Sequence, residues 1–323
     1  MHAIMRYALN MRALILLTVL MMPVVVLADD AKPGRIGDGH KKYVVAFAQD
    51  TMRNDWRVAQ VRELREALAP YPAITFKSSD AGGKTANQVL DIERFIEEKV
   101  DIIVTSPVDT LALAPVVSKA FRQGIPVVLL SRSVKTQDYT VFVTGNNFDI
   151  GKSAASYIAD KLGDKGNILM LEGISTSSTS QARTDGFLAG LKPHKGLRIT
   201  YRKHANYLRG KAIEAIEEAL ADNIPFDAIY AHSDSMAAGA RVALKKAGKH
   251  PGAYVIVGID YISEAREAIR AGEQAASFTY PTYGREGGNF IIRILGGHKI
   301  PKNVVVNSTL VTADNVETVE PVF

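Results

Sequence analysis

From Tyr43 onward the chain alternates short apolar runs with amphipathic stretches. The runs predict strands at Tyr43–Ala48, Ile74–Lys77, Ile102–Thr105, Val127–Leu130 and Val141–Val143. A second set follows at Ile168–Leu171, Ile199–Arg202, Ala228–Ala231, Tyr254–Val257 and Ala275–Phe278. Between them, apolar residues recur every three or four positions, as at Val58, Val61, Leu64 and Leu68, at Val89, Ile92 and Ile96, and at Ile213, Ile216 and Leu220. That is the period of helices with one buried face. Apolar strands joined by helices imply a parallel sheet covered on both faces. Five such units, then five more of similar spacing, predict an α/β fold of two similar doubly wound parallel-sheet lobes.

In open parallel sheets, ligands bind outside the carboxyl ends of the strands. Two facing lobes therefore place the default site in the cleft between them. The loops to search are Gln49–Arg57, Ser106–Thr110, Ser131–Ser133, Glu172–Arg183, His232–Ser235, Asp260–Tyr261 and Thr279–Tyr283. The Ser/Thr stretch Ser175–Ser180 reads as loop between a strand and a helix.

The first residues follow a different pattern. Arg6 and Arg12 precede an apolar segment that ends in Val26-Leu27-Ala28. Basic start, short apolar core and small residues before a cut at Asp29 are the layout of a cleaved secretory signal peptide over residues 1–28. About 15 apolar residues would span only ~22 Å, short of the ~30 Å hydrocarbon core, which disfavours an anchor. Residues 29–41 are polar and rich in Gly and Pro, a flexible lead-in. The reading is an exported, periplasmic protein.

Composition narrows the classes. A length of 323 residues suggests about two domains at roughly 100–200 residues each. With 47% hydrophobic and 23% charged residues the chain is neither disordered nor a polytopic membrane protein. It has no cysteine, which excludes disulfides, thiolate metal sites and a cysteine nucleophile. The net charge of +5 falls to +3 without Arg6 and Arg12, too little for a nucleic-acid binder.

Catalytic and cofactor motifs are wanting. Gly82-Gly83-Lys84-Thr85 resembles the tail of a phosphate loop, but Ser78 stands where its first glycine belongs. Thr85 with Gln88 reads instead as a capping box at a helix start. The 7 histidines never fall four apart, and no carboxylate cluster has metal-ligand spacing. Gly173-Ile174-Ser175-Thr176-Ser177 lacks the closing glycine of a nucleophile elbow. The chain is read as a non-enzyme without cofactor or metal.

The loops do hold stacking and hydrogen-bonding groups. Trp56, the single tryptophan, sits between Asp55 and Arg57 at a strand-to-helix transition, which favours an exposed face. An indole stacked on a ring with charged groups at its edges can grip a polyol. Arg132, Arg183 and Asp260 fall on the same sheet edge.

At these residues the chain resembles the type I periplasmic sugar-binding proteins that serve ABC transporters, above all the ribose- and galactofuranose-binding branch, over about residues 42–312. The first loop ends in Trp56-Arg57 as in galactofuranose binders. Leu129-Leu130-Ser131-Arg132-Ser133 resembles "LDRS", and Arg183-Thr184-Asp185-Gly186-Phe187 resembles "R-x-x-GF". Ala231-His232-Ser233-Asp234-Ser235-Met236 with Gly239-Ala240 is similar to "A-x-N-D-x-M-x-x-GA", and Gly258-Ile259-Asp260 to "G-x-D". The resemblance implies two lobes joined by three crossovers, 42–144 plus 281–307 and 145–280 plus 308–323. It implies ligand contacts from Asp50, Asn54, Trp56, Arg57 and Arg132 on the first lobe. From the second it implies Arg183, Tyr207, Ser233, Asp234 and Asp260, with Tyr280 at a crossover. The partner implied is an ABC transporter permease; a membrane histidine kinase or chemoreceptor is the alternative.

Two positions depart from the family pattern. Ser131 replaces an aspartate and Ser233 an asparagine. Loss of an acidic acceptor beside Arg57, Arg132 and Arg183 makes the expected cleft more positive. It favours a furanose, a sugar acid or a furanosyl signal over ribose.

Overall fold

The computed structural model describes residues 41–323, so the expected signal peptide and all but the last residue of the lead-in lie outside the described residues. The first sheet is built by β1 (Tyr43–Gln49), α1 (Asp55–Leu68), β2 (Ile74–Asp80), α2 (Thr85–Glu97), β3 (Ile102–Thr105), α3 (Ala114–Arg122), β4 (Val127–Leu130) and β5 (Val141–Gly145). The chain then crosses through Asn146 into α4 (Asn147–Leu162), β6 (Lys165–Glu172), α5 (Ser178–Leu191), β7 (Gly196–His204), α6 (Arg209–Ala221), β8 (Ala228–Ala231), α7 (Asp234–Lys246), β9 (Val255–Asp260), α8 (Ser263–Arg270) and β10 (Ala276–Thr279). It returns through 280–283 to α9 (Gly284–Leu295) and β11 (Asn303–Val306), and crosses again to β12 (Leu310–Thr312).

Two six-stranded sheets result, in the orders β11-β5-β4-β3-β1-β2 and β12-β10-β9-β8-β6-β7. Every pairing is parallel except β10 with β12, where Ser277 faces Val311. The central strands β3, β4 and β8 are buried at each residue. That is what helices on both faces of a sheet require.

Helix starts set up the strand ends. Asn54 caps α1 by accepting from the Arg57 N–H, and Ser177 and Ser233 do the same for α5 and α7. Each cap satisfies a helix N–H and fixes where the first-turn side chains point. The capping box expected at Thr85 and Gln88 is absent. Lys84 is the cap position without a side-chain bond, and Gln88 turns inward. Its amide donates to Ala48 O, Thr105 Oγ1 and Ser106 O, and its oxygen accepts from Val108 N. A buried amide saturated by strand-end groups outweighs one exposed cap bond.

The expected strands all form, several of them longer than their apolar runs. Tyr254 and Ala275 fall just outside β9 and β10. The Ser/Thr stretch expected as loop is half helix, since α5 begins at Ser178. Strands β11 and β12 are additions; both are short edge strands, and their brief apolar runs at 304–306 and 310–311 stand outside the strand–helix alternation.

Candidate ligand-binding cleft

The strand ends of the two sheets face each other. On the first lobe, the Asn54 cap places Trp56 and Arg57 in the opening turn of α1. Trp56 is only 7% exposed; its ring lies 5.9 Å from Tyr280 and 6.4 Å from Tyr283, and its N–H donates to Tyr280 O at 3.0 Å. The Arg57 guanidinium covers the indole at 4.8 Å. Behind them the Asp50 carboxylate, wholly buried, lies 3.2 Å from Arg57 Nε and accepts from Arg132 at 2.6 Å.

On the second lobe, Arg183 leaves α5 with its Nε donating to Asn147 Oδ1 at 3.0 Å and a second N–H donating to the His232 carbonyl. Its guanidinium lies 4.4 Å from the centre of the Tyr280 ring. Tyr207 packs against Gly173, where a Cβ would come within 2.0 Å of the ring, and carries Arg132 at 5.4 Å from its ring centre.

Asp260 ends β9 at φ 119, followed by Tyr261 at φ 52. This sharp turn is held by Asp234, whose carboxylate accepts from Tyr261 N and Ser277 Oγ at 2.7 Å and from Gln274 at 2.8 Å. Gly258 leaves room for it, since a Cβ there would meet Asp234 Oδ1 at 1.9 Å.

Burial shapes the charges. It pushes the Asp260 carboxyl well above the ordinary range against the pull of Arg183, and raises Asp234 to about 6. Burial, then neighbouring Arg132, lowers Arg57 to about 10. Burial also keeps His232 neutral, well below its usual value. The Tyr280 phenol would be raised by burial, but Arg183 and hydrogen bonds from Thr144 and Asn147 leave it below its ordinary value.

These groups line a narrow cavity between the strand ends of the two lobes. Asn54, Trp56, Arg57, Ser131 and Arg132 line it from the first lobe. Thr179, Arg183, Tyr207, Ser233, Ser235 and Asp260 line it from the second, and Tyr280 from the crossover. The space is walled by aromatic faces and guanidinium donors. Among the described residues no cluster of three or more His, Cys, Asp or Glu could hold a metal.

The family described as periplasmic binding protein domain matches residues 45–308, most of the chain. The chain belongs to the periplasmic binding protein family.

Among curated relatives, the ribose import binding protein of Bacillus subtilis is 28% identical over 278 residues, 85% of this chain and 88% of that protein. The galactofuranose-binding protein of Escherichia coli is 31% identical over 241 residues, 72% and 76% of the two chains. Among solved structures, the fructose-binding periplasmic domain of a hybrid two-component system superposes with a TM-score of 0.81 at 30% identity, covering 85% of this chain and 92% of its own. No helix among the described residues is long and apolar enough to cross a membrane.

In this periplasmic binding protein the lobes touch directly beside the cavity. Thr110 N donates to Thr176 O at 3.1 Å, and Thr176 Oγ1 to Val108 O at 2.9 Å. Ser133 N donates to Ser178 Oγ at 2.9 Å, and Thr179 Oγ1 to Ser131 O at 3.0 Å. The Ser/Thr stretch is thus a row of bonds from one lobe to the other.

Of the residues expected at the site, Asn54, Trp56, Arg57, Arg132, Arg183, Tyr207, Ser233, Asp260 and Tyr280 converge on the cavity. Asp50 and Asp234 do not line it. Asp50 is consumed by two arginines, and Asp234 braces the Asp260 turn. Trp56, expected on an exposed face, is buried because the crossover tyrosines pack over it. Thr179 and Ser235 fall within the loops named from the sequence but are not singled out there. Asn147, which accepts from Arg183 and donates to Tyr280 Oη at 3.1 Å, was not expected. Position at a helix start was the available signal for all three, and small polar residues there are too common to single out.

Proposed function

We propose that the protein captures a small sugar or sugar-like ligand between its two lobes and delivers it to the permease of an ABC transporter. The single observation behind this is the cavity itself, faced from both lobes by rings and buried donors. Rings stack on the apolar face of a sugar while guanidinium and hydroxyl groups bond its oxygens. A ligand touching both lobes stabilises the closed form, because only that form offers all the contacts. Names of the relatives, which include ribose- and galactofuranose-binding proteins, support a sugar.

The reading includes export through a cleaved signal peptide at 1–28, lobes bounded at 42–144 plus 281–307 and 145–280 plus 308–323, and binding without bond chemistry. A second reading, presentation of the ligand to a membrane sensor, is favoured by the likeness to a two-component fructose-binding domain.

The test is a thermal-shift screen of the exported chain against pentoses, hexoses, furanoses, sugar acids and polyols. A ligand at about 100 times its Kd adds roughly 2.7 kcal/mol and raises Tm by several degrees. Silence across the whole panel contradicts the reading.

A further inference from the structure

We infer that the natural ligand carries a negative charge, specifically a carboxylate on a monosaccharide. This rests on the sugar-binding reading above and narrows it.

Charge is unbalanced around the cavity. Arg57, Arg132 and Arg183 line the cavity and are 3%, 2% and 2% exposed. Two carboxylates stand near them. Asp50 is shared between Arg57 and Arg132, so it neutralises one of the two. Asp260 feels Arg183 and Arg57 through space, yet among the described residues it is ion-paired with neither. Even with both carboxylates ionised, one positive charge is left over.

The unspent donors point the same way. Arg183 carries five N–H donors in a planar fork. It spends two, on the neutral oxygens of Asn147 and His232. Arg132 Nε and Tyr207 Oη, on opposite lobes, are buried without a hydrogen-bond partner. A buried guanidinium lacking an anion costs stability, and a carboxylate placed against it restores a strong charge-assisted pair. Neutral sugars present hydroxyls that need acceptors as well as donors. Acceptors are few here: Asp50 and Asp234 are turned to protein partners, which leaves Asp260 as the carboxylate on the wall beside the small hydroxyls of Ser131 and Ser233.

The experiment compares matched pairs on the unaltered protein by titration calorimetry: galactose with galacturonate, glucose with gluconate and ribose with ribonate. Ribose 5-phosphate and inorganic phosphate are further arms. The expected result is that the acid of at least one pair binds ten-fold or more tightly than its neutral partner, and that Arg183→Gln shrinks this preference. A neutral sugar binding as well as or better than its acid overturns the inference and leaves the sugar-binding reading standing. Binding of the phosphates without the carboxylates also overturns it. No binding of any probe overturns both.

Discussion

The indole N–H of Trp56 donates to the main-chain oxygen of Tyr280 at 3.0 Å, so the first helix of one lobe is tied to the segment through which the chain crosses between lobes. Trp56 also lines the cavity, and Arg57 lies over its ring. As the single tryptophan of the chain it reports on both events at once. Saturating ligand is expected to change its emission intensity or maximum. Calorimetric binding with an unchanged spectrum would contradict this placement. Trp56→Phe, which loses the N–H bond, should destabilise the protein by about 1 kcal/mol in chemical denaturation.

The row of Ser and Thr bonds between the lobes should set the balance between open and closed forms. Thr176→Val removes the bond to Val108 O and leaves each lobe's own packing alone. One bond is worth about 1 kcal/mol, or about five-fold in the closing equilibrium. Ligand affinity should weaken by about that factor with little change in the denaturation midpoint. An unchanged affinity would show that these bonds do not take part in closure.

Gly186 explains why the Arg183 motif needs its glycine. A Cβ there would lie 1.9 Å from Phe148 O on α4, and the next residue, Phe187, stacks on Tyr230 at 4.1 Å. Gly186→Ala must push α5 away from α4, costing about 2–3 kcal/mol as an overpacked contact does. Thermal denaturation checks this; a midpoint equal to that of the unaltered protein would refute the close approach.

Asp234 gives a pH dependence of defined sign. Its carboxyl is raised by burial to about 6, above the ~3.9 of an unfolded chain. The folded state therefore holds the proton more tightly. This contribution to stability is full below about pH 4 and is lost as pH rises through about 6, by about 3 kcal/mol in total. Asp234→Asn lacks it. The stability of the variant relative to the unaltered protein should rise by that amount between pH 4 and pH 7, with buried His232 cancelling in the difference. A difference independent of pH would contradict the assignment.

The sequence made the α/β architecture legible because central strands buried on both faces must be apolar throughout, as Ile102–Thr105 and Val127–Leu130 largely are. It left β11 and β12 unread, since 304–306 is a brief valine run followed by another short strand and not by a helix. Site residues were legible where a charged or aromatic side chain follows an apolar strand, as Arg132 does. What the pattern could not settle was direction. Asp234 and Asp260 both sit at strand ends, yet the first turns to Tyr261 and Ser277 while the second reaches the cavity. Trp56 lines the cavity but is buried rather than exposed, because nothing local signals tyrosines more than 200 residues away packing over it.

The central claim is that one ligand is held from both lobes at once. Calorimetric titration of the best ligand from the screen tests it directly, using the unaltered protein, Trp56→Ala from the first lobe and Arg183→Gln from the second. The expected result is one ligand per chain, with affinity reduced about 100-fold or more in each variant while circular dichroism stays native, since each loses a buried contact of about 3 kcal/mol. Undiminished binding in either variant would place the ligand outside this cleft and contradict the account.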